Sequence, residues 1–382
     1  MTILDIVNAV AAPYTVWRTL HGIEPLCRDG RPIYISGNAS VLFQVRHEGG
    51  LKMLKCYTRK HPYLKEIYGE QYYPRELHVI SISGEHSWVD CLLYDRIEGN
   101  TLDEELSGAT TSEDYARLAE EFDQMACRLL TSERRHGDLK PENIIVTKDG
   151  RMEPIDFDAA FIPSLAGRKS AEIGTAAYQH PARTSSIFDE HLDDYSIAFL
   201  STLLHAAAID PTLLKEYSTT HEPPFMPREI VSGKCPAMTE IIEQFARRGD
   251  AIRYRIARML SSQWPRLFNL KATIRHSTAE PFTAPITDAY LEQESGLWGC
   301  RNDQGWIVPP LFDDGFDPTE GYMVASLGGY THLIRLSDRR VVHSFDKGIK
   351  AKPVHNAEIA IRNEDSSREY IKLEALLQNS SE

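Results

Sequence analysis

Over the first quarter of the chain, apolar and polar residues alternate in short runs. Residues 32–35, 40–45, 51–57 and 89–96 carry this alternation and predict strands. Gly49-Gly50 and other turn formers separate them. One helix is expected among them, over 61–72. The opening segment MTILDIVNAV puts its apolar residues on one helical face with Asp5 inside it, and no basic residues precede a long apolar core. It predicts an amphipathic helix and not a secretion signal.

Beyond Gly99 the period changes from two to that of a helix. Thr111-Ser112-Glu113-Asp114 has the form of a helix start, and Leu118, Phe122, Met125, Ala126 and Leu129 follow at helical spacing. Two short strands, 143–146 and 152–155, are expected on either side of the turn Lys148-Asp149-Gly150. Helices return over 194–208 and 238–260. The most apolar run, 197–209, is too short to span a bilayer and reads as a buried helix.

Residues 277–289 carry Pro281 and Pro285 among Thr and Ala, the composition of a linker. Past it the sequence GLWGCRNDQGWIVPPLFDDG, from Gly296, is rich in Gly, Trp and Asp. A weaker echo follows, with Val341-Val342 and Phe345-Asp346 standing 33 residues after Val308-Pro309 and Phe312-Asp313. Glu369-Tyr370-Ile371-Lys372-Leu373 is a third strand-like fragment. Imperfect repetition at this period predicts stacked β units.

Composition narrows the classes. The 382 residues are too many for one core and suggest about two or three domains. A net charge of −13 with scattered cations excludes a basic footprint for nucleic acid. The six cysteines are dispersed and none forms a CxxC pair, so neither a zinc site nor a disulfide framework is indicated. A cytoplasmic protein without membrane spans is expected.

The candidate chemistry lies in His136-Gly137-Asp138-Leu139-Lys140-Pro141-Glu142-Asn143, followed by Pro154-Ile155-Asp156-Phe157-Asp158. Phosphoryl transfer from ATP needs a group to orient and deprotonate the acceptor, oxygen ligands for Mg²⁺ and a cation near the phosphate. A loop carrying Asp138, Lys140 and Asn143, with a hairpin returning Asp156 to the same place, supplies those parts.

HGDLKPEN followed by DFD resembles the catalytic loop and metal-binding segment of the protein-kinase superfamily. The resemblance covers roughly residues 31–275 and implies Asp138 as catalytic base, Lys140 near the γ-phosphate, and Asn143 and Asp156 as Mg²⁺ ligands. Lys55 matches the strand lysine that pairs with the α/β-phosphates. Its carboxylate partner is expected on the helix near 61–72, as Glu66 or alternatively Glu70. Gly37, with Ser40 and Leu42, stands where a glycine-rich phosphate loop is expected. Asp95 and Ile97 match the backbone hinge that bonds adenine, and Ile145 completes the implied nucleotide set. Ile173-Gly174-Thr175-Ala176-Ala177-Tyr178 resembles the end of a serine/threonine-kinase activation segment, which points to a protein substrate.

The fold so implied is α+β, a two-lobe protein-kinase-like fold with an appended small β-rich C-terminal domain. Its expected parts are a helical extension (1–30), an N-lobe (31–98), a C-lobe (99–280) and a β module (288–382). Trp298-Gly299, the 303–305 turn and Val308-Pro309-Pro310 resemble the bacterial WG-repeat family, which implies a partner-docking or regulatory surface there. Four departures leave alternatives open. Asp158 replaces the glycine of DFG, Ile35 and Ser40 replace two loop glycines, Met53 replaces an alanine over the adenine pocket, and Ala182 replaces a glutamate. A pseudokinase or nucleotide-gated binder, and a small-molecule phosphotransferase, are the other readings. Gly137 replaces a common arginine, so an activation segment that works without phosphorylation is expected.

Overall fold

Along the strand Ser40–His47 burial alternates, with Val41, Phe43 and Val45 buried and Leu42, Gln44 and Arg46 more open. Period-two burial is what a strand with one face on a core requires. The computed structural model describes residues 1–12, 14–37, 39–279, 286–354, 357–363 and 367–378. The architecture is mixed α and β, in two compact units. One comprises Met1–Leu102, Glu133–Gly174 and Thr184–Leu192, and the other Asp103–Ser132, Thr175–Arg183 and Asp193–Glu382.

In the first unit an antiparallel sheet runs Glu24–Pro25, Ser40–His47, Gly50–Tyr57, His86–Asp95, Tyr72–Ile80, with Tyr34–Ser36 also paired to Ser40–His47. The strand Tyr72–Ile80 has no counterpart in the sequence expectations. Its ladder slips between Tyr73 and Leu77, and Arg75 holds φ +50°, so the alternation that would advertise it is broken. Glu76 beside the slip is buried but satisfied, accepting from the Thr19 and Leu20 amides at 2.7 and 2.6 Å.

The expected N-terminal helix is Ile3–Ala11, capped reciprocally by Thr2 and Asp5. Its Ile6, Val7 and Val10 join Val41, Phe43, Val45 and Leu77 in one core, so this helix is part of the sheet's packing. The helix expected over 61–72 is shorter, Leu64–Tyr68. Gly69, at φ +56°, ends it in a 3₁₀ turn, Gly69–Gln71. Farther along, Ile144–Thr147 pairs with both Gly99–Thr101 and Met152–Pro154. The Gly150 amide closes that hairpin on the Thr147 carbonyl at 2.9 Å.

The second unit is built on Ser112–Thr131, capped by Thr111 and Asp114, and on Asp194–Ile209, which is almost entirely buried. Buried Asp123 ties them together, accepting from Ser201 Oγ at 2.7 Å and meeting His205 Nε2 at 3.0 Å and Arg253 at 3.2 Å. The single helix expected over 238–260 is two, Pro236–Arg248 and Ala251–Met259, broken where Gly249 turns left-handed at φ +69°.

Three antiparallel sheets fill the β-rich C-terminal region. They are Tyr290–Glu294 to Gly305–Phe312, Asp314–Thr319 to Arg340–Phe345, and Lys350–Val354 to Arg368–Lys372. Phe312 and Phe345, the echoed pair, are each buried and each end a strand. These sheets pack on the two helices inside the same unit. Arg255 bonds the Leu311 carbonyl and Asp313 at 2.8 and 2.7 Å, and Glu243 receives Tyr330 Oη at 2.6 Å and Lys347 Nζ at 2.8 Å. Of the expected linker, residues 280–285 lie outside the described residues. Among the described residues no helix is long and apolar enough to cross a membrane.

Candidate active site

Lys55 lies on the strand Gly50–Tyr57, buried, with Leu42 opposite it on one neighbouring strand and Leu92 on the other. A buried ammonium must be paired. Its Nζ lies 2.6 Å from Asp156 Oδ1 and 2.8 Å from Asp158 Oδ2. Burial disfavours the charge, but the two carboxylates outweigh it and hold Lys55 above the usual lysine range. Glu66 is exposed on Leu64–Tyr68 and Glu70 is exposed in the turn after it, and the carboxylates on Lys55 come from the 156–158 segment.

Asp158 is the residue whose importance the sequence concealed. Its Oδ1 accepts from Tyr57 Oη and Tyr68 Oη, each at 2.8 Å. Burial opposes its charge, yet Lys55 and the two phenols hold its carboxyl below the usual range. Both phenols are pushed well up by burial and by this carboxylate, so they stay donors. One signal was present in the sequence: Tyr57 stands two residues after Lys55 on one strand, hence on the same face. The missing glycine is no backbone handicap here. Asp156, not Asp158, is the left-handed residue, at φ +62°. Aspartate tolerates that region better than most residues, and strain of this kind gathers at functional sites.

The loop 136–143 is tied to this segment at several points. His136 Nε2 lies 2.7 Å from the Ile155 carbonyl and its ring is 4.7 Å from that of Phe157. The Ile155 amide donates to the Asn143 carbonyl at 2.9 Å, which places Asn143 beside the start of the Asp156 turn. Asn143 Nδ2 donates to the Asp138 carbonyl at 2.9 Å and approaches its Oδ2 at 3.5 Å. Lys140, half-buried, is 3.9 Å from Glu142. Asp138, Asn143, Asp156 and Lys55 thus belong to one connected network, while Glu66 does not.

The residues fit Mg²⁺ in the manner expected of a phosphate-bound ion. With its amide nitrogen spent on Asp138, Asn143 keeps Oδ1 as an acceptor. Asp156 accepts from Lys55 Nζ at Oδ1, and its side chain stays 42% exposed for a second partner. Mg²⁺ needs only one or two protein oxygens when phosphates and water complete its shell. No cluster of three or more His, Cys, Asp or Glu side chains suited to a metal occurs among the described residues.

The remaining implied residues line up less tightly. The Gly37 amide donates to the Ser40 carbonyl at 2.9 Å in the turn leaving Tyr34–Ser36, and Asn38 lies outside the described residues. Asp95 ends its strand with an exposed side chain on Lys52 at 2.6 Å, Ile97 is exposed just after it, and Ile145 is buried opposite Thr101. In the segment after Asp158, Ser170 is buried with its hydroxyl on the Glu172 carbonyl, and Arg135 donates to the Glu190 carbonyl at 2.7 Å.

No family model and no curated protein matches the chain. Among solved structures it is similar to the ROP18 kinase domain in complex with AMP-PNP and sucrose, at 15% identity and a TM-score of 0.42, over 72% of this chain and 88% of that one. A likeness of that strength carries no argument about activity.

Proposed function

We propose that this chain is a protein serine/threonine kinase that transfers the γ-phosphate of Mg·ATP. In this reading the fold is two-lobed, with an N-lobe over 31–98, a C-lobe over 99–280, a helical extension before them and a bacterial WG-repeat-like module over 288–382. Asp138 orients the acceptor hydroxyl and takes its proton, Lys140 faces the γ-phosphate, and Lys55 holds the α/β-phosphates. Mg²⁺ on Asn143 and Asp156 would neutralise charge on the β- and γ-phosphates. Gly37, Ser40, Leu42, Asp95, Ile97 and Ile145 surround the nucleotide.

The single observation that carries the reading is that the Lys55–Asp156 ion pair, at 2.6 Å, and the Asn143 amide on the Asp138 carbonyl, at 2.9 Å, are joined by the Ile155 amide, which donates to the Asn143 carbonyl at 2.9 Å. The hold of two carboxylates on Lys55 also favours a second reading, a nucleotide-gated binding protein without transfer. The test is transfer of labelled γ-phosphate to the chain itself and to a generic basic protein, beside calorimetry with Mg·ATP. Transfer supports the kinase; binding without transfer selects the second reading. Neither binding nor transfer removes both, and transfer to a sugar or aminoglycoside instead selects a small-molecule enzyme.

A further inference from the structure

Protein kinases place the phosphate-binding lysine with a glutamate from a mobile helix, and the position of that helix switches the enzyme. We infer that in this chain Asp158 does that work, so that Lys55 is positioned by the segment that also carries Asp156 and not by the helix Leu64–Tyr68. The inference rests on the phosphotransfer reading and concerns a positioning residue.

Three observations carry it. The carboxylate of the helix Leu64–Tyr68, Glu66, is exposed, whereas Asp158 reaches Lys55 Nζ at 2.8 Å with a side chain only 13% exposed. Both Asp158 oxygens are engaged, Oδ2 by Lys55 and Oδ1 by two phenols. Asp156, by contrast, touches Lys55 with one oxygen and is open to solvent. The two aspartates are therefore divided in role, one holding the lysine and one facing the phosphates.

The phenols make Asp158 rigid from two directions. Tyr57 comes from the strand that carries Lys55, and Tyr68 ends the short helix. That helix thus contributes a neutral donor where a glutamate is expected. An ammonium has three protons; Asp156 and Asp158 take two, and one remains for phosphate. Both carboxylates on Lys55 come from the segment 156–158, so this pairing does not run through a carboxylate of the helix.

The experiment uses the full chain with Asp158→Asn, Asp158→Glu and Glu66→Gln. Acetylation of Lys55 by acetic anhydride at one fixed pH, followed by mass spectrometry, reports the pairing. Mg·ATP calorimetry and the KM for ATP report the positioning. Asp158→Asn should raise Lys55 labelling severalfold, because an ammonium that has lost one of its two carboxylates is held less firmly. It should also weaken Mg·ATP binding by about tenfold or more, as expected for one lost charged hydrogen bond. Asp158→Glu should recover part of both, and Glu66→Gln should have the smaller effect on each. Tyr57→Phe and Tyr68→Phe, which each remove one donor, should move both readouts the same way by less, and they stand in if Asp158→Asn fails to fold. Unchanged labelling and binding in Asp158→Asn, or a larger loss in Glu66→Gln, overturns the inference alone. A wild type that binds no Mg·ATP overturns the phosphotransfer reading and the positioning role together.

Discussion

A Cβ built on Gly137 would lie 2.2 Å from the carbonyl oxygen of Ala159, and Gly137 itself holds φ at +85°. Both facts demand glycine, one for the close approach and one for the left-handed backbone. The absence of an arginine charge at this position, legible from the sequence, is thus accompanied by a steric reason that was not. Gly137→Ala should destabilise the chain by about 2–4 kcal/mol, combining backbone strain with overpacking. Urea midpoints measure it. A variant as stable as wild type would mean that the segment around Ala159 moves aside freely.

Asp138 and Asp156 should fail in different ways. Asp138 is held in the loop, its amide 3.2 Å from His136 Nδ1 and its carbonyl accepting from Asn143 Nδ2, and its proposed work is on the acceptor hydroxyl, so Asp138→Ala should abolish transfer while Mg·ATP affinity stays within about threefold. Asp156 pairs with Lys55 at 2.6 Å, so Asp156→Ala should weaken Mg²⁺-dependent binding as well as transfer. Parallel calorimetry and transfer assays separate the two. Equal and small effects on both quantities would remove these assignments.

The contrast between Glu66 and Asp158 shows how far the sequence could be read. Residue types at fixed spacing gave the loop 136–143, the hairpin closed by Gly150 and the strand lysine, because local motifs carry their own geometry. The partner of Lys55 depends on which of several carboxylates the tertiary fold brings close, and no local pattern encodes that. The helix expected over 61–72 stopped early at Gly69, which leaves Glu70 in a turn. The Tyr72–Ile80 strand was hidden by its irregular ladder. Gly249 likewise divides a helical run whose apolar period continues through it.

The β-rich region should be energetically coupled to the helices it covers. Glu243 receives both Tyr330 and Lys347, which pull its carboxyl below the usual range, and a Cβ on Gly328 would stand 2.7 Å from that of Ala246. A double-mutant cycle on Glu243→Ala and Tyr330→Phe should give a coupling of about 1 kcal/mol, the size of a net hydrogen bond to a charged group at a partly open site. A chain truncated before residue 290 should melt less cooperatively than the whole, since Arg255 loses both of its partners there. Zero coupling together with an unchanged melt would show that the sheets are independent of these helices.

Acid should weaken the second unit through His332. This residue is fully buried in Tyr330–Arg335, with Nδ1 2.9 Å from Ser344 Oγ and its ring against Tyr330. Burial pushes its imidazole down to about 4, whereas an unfolded histidine titrates near about 6.5. Between those values the unfolded chain takes up a proton that the folded one refuses. Stability from this group is therefore complete above about 6.5 and declines as pH falls toward about 4, by at most about 3 kcal/mol. Burial lowers His180, His276 and His343 as well, so the acid loss of the wild type has several sources. His332→Gln isolates one of them. It should be less stable than wild type at pH about 7, from poorer packing, yet lose less on acidification to about 4.5. The measurement is the urea midpoint of both proteins at both pH values. Equal losses on acidification would show that His332 takes up its proton without unfolding.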